Sequence, residues 1–178
     1  MYDNPVFRQR FATLVFGEPM TPASAKVWEQ IASAFPATLP EQPITICDCD
    51  ECQEVRANLG HLRWNDALPH AADKTFGSLP LLTDDAFQAL LPAFLHRALE
   101  DINPENKFLE WMLYALCGAY EEDEVTTEAT DAERRTRIAL FTKPQREAVR
   151  AFLMLVTGAP NLRFHHDPVA HALSAIWT

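Results

Sequence analysis

The apolar positions between Leu79 and Tyr120 fall into two helical stripes that set the expected architecture. Phe87, Leu90, Leu91, Phe94, Leu95, Ala98, Leu99 and Ile102 recur at steps of three and four, the spacing that lines one face of a 3.6-residue helix. Thr83 stands where an N-cap is needed, and Asp84 and Asp85 place negative charge at the positive end of the helix dipole. Pro92 lies inside this run, yet the stripe continues in phase through it. An interior proline removes one hydrogen bond and crowds the preceding turn, so the pattern predicts a kink rather than a break. Asn103-Pro104 then reads as cap and first turn of a second helix, Pro104 to Ala119. Its Phe108, Leu109, Met112, Leu113 and Leu116 are flanked by Trp111, Tyr114 and Cys117. Apolar nearly all round, this helix is expected at the centre of the fold.

The remaining chain repeats the device of a cap followed by proline. Asn4-Pro5 opens a helix carrying Phe7, Phe11, Leu14 and Val15, closed by Gly17. Thr21-Pro22 opens the next, with Val27, Trp28, Ile31, Ala34 and Phe35 on its stripe and Pro36 as its stop. Ile44-Thr45-Ile46 favours β structure but is long enough only for a lone extended segment. Asp50 with Gln53 predicts a capping box for a short helix reaching about Leu62. Arg63 to Ser78 is expected to be loop, pinned to the core by Trp64 and Phe76. Glu121 to Glu133 holds seven acids and no base, the composition of a flexible acidic linker. Ala132 to Leu140 can form a turn or two of helix. Thr142-Lys143-Pro144 starts a clear one with Val149, Phe152, Leu153 and Val156, and Asp167-Pro168 starts the last, with Val169, Leu173, Ile176 and Trp177. These elements predict an all-α single domain over residues 1–178, of six to seven helices with little or no sheet.

Composition narrows the functional classes. The chain has 178 residues, 48% hydrophobic and 22% charged, and a net charge of −10. That is the profile of a globular protein with one sizeable core. The acidic balance argues against nucleic-acid binding, which relies on clustered cations to displace counterions from phosphates; any protein partner is expected to be basic. Neither a signal-peptide pattern nor an apolar run of membrane-spanning length is found, so the expected compartment is the cytoplasm, with no membrane association. Three of the four cysteines are crowded into six positions, which suits reduced thiols or a metal site better than a disulfide framework.

The segments around Cys49-Asp50-Glu51-Cys52, Trp64, Leu79-Pro80-Leu81-Leu82-Thr83, Leu91-Pro92-Ala93-Phe94-Leu95 and Phe141-Thr142-Lys143-Pro144-Gln145-Arg146 through Leu153 run over most of the chain. Together they resemble a bacterial family of small cytoplasmic proteins with no assigned activity. The resemblance implies a bacterial, cytoplasmic protein and transfers no catalytic residue.

Cys47-Asp48-Cys49-Asp50-Glu51-Cys52 is the densest run of reactive side chains. As a zinc site it supplies three thiolates, and a tetrahedral ion asks for a fourth ligand. His61, His70, Cys117, His165 and His166 are the candidates; the set taken forward is Cys47, Cys49, Cys52 and His61. As a redox pair, Cys49 and Cys52 form C-x-x-C at a helix start, although neighbouring acids oppose thiolate formation. As plain structure, one or two of the cysteines are small buried hydrophobes and the acids solvate a helix start. His165-His166-Asp167 reads either as a base with its carboxylate or as loop and N-cap, His96 and Glu100 as a local pair four residues apart, and Glu110 as a carboxylate near the aromatic centre. No phosphate-binding loop, dinucleotide turn, G-x-S-x-G or H-E-x-x-H occurs. The expectation is therefore a non-catalytic acidic protein that binds another protein, an immunity protein that neutralises a toxin being one form. It is expected to carry no cofactor. The alternative is a small metal-binding protein or enzyme built on the cysteine cluster with a histidine, with zinc as its ion.

Overall fold

The computed structural model describes residues 20–67, 76–103, 105–118, 128–159 and 166–178. Among them are eight α-helices and no strand: α1 (Pro22–Ala34), α2 (Asp50–Leu59), α3 (Trp64–Ala67), α4 (Asp84–Glu100), α5 (Lys107–Cys117), α6 (Glu128–Ala139), α7 (Lys143–Thr157) and α8 (His166–Ala175). A 3₁₀ turn, Phe76–Leu81, leads into α4. The all-α class is as expected. The short α3 lies where loop was expected and helps take the number of helices past six or seven. The expected helix at Asn4 to Gly17 lies outside the described residues.

The predicted stripe does organise the molecule, through α4. Leu90, Leu91, Leu95 and Ala98 are fully buried, and Phe87, Phe94 and Leu99 nearly so. Thr83 caps this helix by accepting from the Ala86 amide, and the helix runs unbroken through the buried Pro92. Helices α1, α3 and α5 pack on it, α7 packs on α1, and α8 closes over α5 and α7. The core is continuous from Val27 to Trp177.

The expected centrality of α5 is corrected. Lys107, Glu110, Trp111 and Tyr114 form an outward face at helical spacing, with Trp111 40% and Tyr114 43% exposed; the opposite side, Phe108, Leu109, Met112, Leu113, Leu116 and Cys117, enters the core. Glu110 is thus a surface carboxylate, paired with Lys107 at 2.7 Å. The cap also shifts. Asn106, not Asn103, takes the N-cap position and accepts from the Phe108 and Leu109 amides, a choice between two asparagines three residues apart that local pattern does not make.

The acidic stretch Glu121 to Glu133 divides. Residues 121–127 lie outside the described residues, while 128–133, expected as part of a linker, belong to α6. Arg137 moors α6 to the start of α4. Its Nε donates to Asp84 Oδ1 at 2.6 Å and its guanidinium lies 4.8 Å from the centre of the Phe87 ring.

Candidate metal centre

The lone extended segment expected at Ile44-Thr45-Ile46 is a single antiparallel bridge between Thr45 and Leu82. The Ile46 amide donates to Leu81 O at 2.9 Å and the Thr83 amide to Ile44 O at 3.0 Å. This bridge fixes the chain immediately before Cys47 against the turn that enters α4. Six residues later the chain is fixed again, because Cys52 is fully buried and α2 packs on the 3₁₀ turn. Cys47 to Cys52 is therefore a short loop anchored at both ends.

Within it, Cys49 rather than Asp50 occupies the N-cap of α2, and no side chain caps that terminus. The capping box expected from Asp50 and Gln53 does not form; Gln53 Nε2 instead donates to Asp48 O at 3.0 Å. This frees the loop to turn back on itself. Cys47 Sγ lies 3.2 Å from Cys49 Sγ and 2.9 Å from Cys52 Sγ, and the three sulfurs all lie within 4.8 Å of one another. Cys47 and Cys49 are exposed. The sulfurs thus form a triangle with one member at the floor and two at the surface.

Arg56 holds this geometry. A helical side chain leans toward the N-terminus, so Arg56, one turn after Cys52, reaches back along α2 to the loop. One terminal nitrogen, Nη1, donates to Thr45 Oγ1 at 3.0 Å and Cys47 O at 3.1 Å, and stands 2.8 Å from Asp48 Oδ1. Thr45 Oγ1 in turn donates to Cys47 O at 3.2 Å. Neither Arg56 nor Thr45 was singled out from the sequence. The signal was an arginine four residues after a cysteine on a helix whose start carries the cluster.

The thiols are not equivalent. The Cys47 thiol is held below the usual value, first by the hydrogen bond from the Cys52 thiol, then by the Cys49 backbone amide and the Cys49 thiol; burial and Asp48 oppose the shift. Cys52 is pushed up to about 11, first by that same hydrogen bond, which favours its protonated form, and then by burial. Within the trio, then, Cys47 is the thiol that gives up its proton more readily and Cys52 the one that holds it longer.

The donor set fits a soft or borderline metal ion. Three thiolates are the ligands that thiophilic ions and zinc select. A tetrahedral zinc with bonds of about 2.3 Å places its sulfurs about 3.8 Å apart, so the two closest pairs need only spread slightly by side-chain rotation. The fourth ligand proposed from sequence is not brought in. His61 is exposed beyond the far end of α2 and is not part of the group. Cys117 is buried in the core, where burial pushes its thiol up to about 12. His70 and His165 lie outside the described residues, as does the side chain of His166. Among the described residues three ligands converge, and the surface side of Cys47 and Cys49 remains open.

Two other features have structural roles. A cleft of about 480 Å³ is lined by Asp84, Tyr114, Arg134 and Arg137, but Arg137 is committed to Asp84. The Arg134 guanidinium packs so closely on Gly118 that an added Cβ would stand 2.7 Å from it. His96 stacks edge-on to Trp28 at 4.5 Å, and its Nδ1, 3.7 Å from Glu100 Oε1, is buried without a hydrogen-bond partner among the described residues. Burial lowers its pKa from 6.5, against the pull of Glu100 and with a smaller push from Arg97. The unfolded chain then takes up the proton first on acidification, so the stability present above pH 6.5 should fall through the window just below it. Denaturation curves at stepped pH should show His96→Asn losing this acid-side slope; curves parallel to the parent's would refute the assignment.

Comparison with protein-family models, curated proteins and solved structures finds no match to this chain. Nothing in those comparisons bears on the bacterial family resemblance.

Proposed function

We propose that this protein binds a thiophilic metal ion, zinc in the first instance, through Cys47, Cys49 and Cys52, with one coordination position facing outward. The observation that carries this reading is the convergence of the three sulfurs within 4.8 Å in a loop anchored before and after. It reverses the preference drawn from sequence, where the missing fourth ligand counted against a metal. An open fourth position is what distinguishes sites that exchange or present an ion from closed structural ones. The main core contains none of the three cysteines, so the ion is not required as a folding staple. Loading the chelator-treated protein with cobalt(II) is the test. Thiolate-to-cobalt absorption should appear at one equivalent and be lost in Cys47→Ser, Cys49→Ser and Cys52→Ser, while helicity is unchanged by chelation. Thiols that react at the same rate with and without the ion would contradict the reading.

A second reading rests on α5, whose exposed Trp111 and Tyr114 stack edge-to-face at 5.9 Å on a protein of net charge −10. Exposed aromatics of this kind are enriched at protein interfaces. The partner in this reading is a basic protein in the cytoplasm, the chain acting without catalysis, as a toxin-neutralising immunity protein would. No helix among the described residues is long and apolar enough to cross a membrane. Binding to such a partner should weaken as salt rises and with Trp111→Ala. A complex indifferent to both would exclude this surface.

A further inference from the structure

The C-x-x-C spacing of Cys49 and Cys52 marks them as the obvious redox pair in the sequence, but the geometry points to a different one. We infer that the loop is an oxidation site whose product is a Cys47–Cys52 disulfide, with Cys49 left as the free thiol. This inference concerns the same sulfurs as the metal reading but does not depend on an ion being bound.

Three observations carry it. Cys47 and Cys52 make the shorter of the two sulfur contacts described, 2.9 Å against 3.2 Å for Cys47 and Cys49. That is inside the roughly 3.5–4 Å at which non-bonded heavy atoms rest comfortably, and closing it to the roughly 2.05 Å of a disulfide is a small movement. Exposure differs in the required sense. Cys47 is at the surface, where an oxidant meets it, and Cys52 is buried beneath it, so the second sulfur is reached through the first and is not the one an oxidant meets directly. Finally, the bridge at Thr45 and the hold of Arg56 on Cys47 O fix the Cys47 backbone beside the start of α2, which carries Cys52.

The chemistry balances with hydrogen peroxide as oxidant. The Cys47 thiolate attacks one peroxide oxygen, the O–O bond breaks, and the leaving hydroxide takes a proton to become water, leaving a sulfenic acid. Cys52 sulfur then attacks Cys47 sulfur as its own proton departs. The S–S bond forms, the S–O bond breaks, and the second hydroxide leaves as water. Two thiols lose two electrons and one peroxide gains them. Because two of the three ligands are consumed, the oxidised loop cannot hold a three-thiolate ion, so the modification switches the metal site off.

The experiment treats the chelator-stripped 178-residue chain with substoichiometric hydrogen peroxide, blocks remaining thiols, and digests with a protease that cleaves before aspartate. Cuts before Asp48 and Asp50 place the three cysteines on three separate peptides, so mass spectrometry assigns the pairing directly. The expected product joins the Cys47 and Cys52 peptides and leaves Cys49 blocked. Cys49→Ser should form the same product, and Cys47→Ser and Cys52→Ser should not. A dominant Cys49–Cys52 product, a product lost in Cys49→Ser, or oxidation that stops at sulfenic or higher acids without any disulfide would overturn the inference. Each result is read without metal, so failure here leaves the cobalt titration to decide the metal reading on its own.

Discussion

Replacing Trp177 by alanine is expected to lower the free energy of unfolding by about 3–5 kcal/mol, the range for emptying a large aromatic site in a packed core. Trp177 is fully buried. Its ring meets Phe141 edge-on at 5.6 Å, and its indole N–H donates to Leu116 O at 3.0 Å, near the end of α5. Its amide donates to Ala172 O at 2.8 Å, and its own carbonyl accepts from Arg150, which also holds Leu173 O. The residue therefore joins α5, α7 and α8 at one point. Alanine would leave a cavity and strand a buried carbonyl at Leu116. Trp177→Phe should separate the two contributions, keeping most of the volume and forfeiting mainly the hydrogen bond at about 1 kcal/mol. Equilibrium denaturation measures both. A loss below about 1 kcal/mol for the alanine variant would show that the C-terminus is not seated as described.

Arg56→Ala is expected to weaken metal binding by about 10- to 100-fold, the usual effect of removing a group that orients the residues holding an ion, with little change in melting temperature. Arg56 makes no contact with a sulfur in this structure. It orders the loop through Thr45, Cys47 O and Asp48. Arg56→Lys should recover only part of the affinity, because an ammonium can supply the donors that Nη1 supplies but on a more flexible stem that holds them in place less well. Competition against a chromophoric chelator reads the affinity. An unchanged constant in Arg56→Ala would mean that the loop orders itself without the arginine.

Much of this fold was legible because it is written in periodicity. The stripe from Phe87 to Leu99 predicted α4, and Thr21, Thr83 and Thr142 were rightly placed as helix starts, since a hydroxyl cap and a following apolar repeat are both local signals. The misreadings share one cause. Trp111 and Tyr114 look like core residues by type, and only the packing of α4 and α8 on the other side of α5 turns them outward. Asp50 and Gln53 satisfied the capping pattern, but Gln53 turns to Asp48 O because the loop folds back over the helix start.

The candidate site was legible as composition and not as geometry. Cys47, Cys49 and Cys52 were visible as a cluster. Their convergence depends on pairing Thr45 with Leu82, 37 positions along the chain, and on Arg56 reaching back to the loop. No local rule supplies that long-range pairing. The same gap left the fourth ligand open in the sequence, where spacing did not select among His61 and the other candidates; His61 lies beyond the far end of α2.

The most direct measurement is elemental analysis of protein purified without an affinity tag or chelator, paired with a count of reactive thiols. A metal site predicts about one zinc per chain, with Cys47, Cys49 and Cys52 protected from alkylation until the ion is removed. Protein that carries no ion, takes up none when zinc is supplied, and presents Cys47 and Cys49 as freely reactive thiols throughout would contradict it.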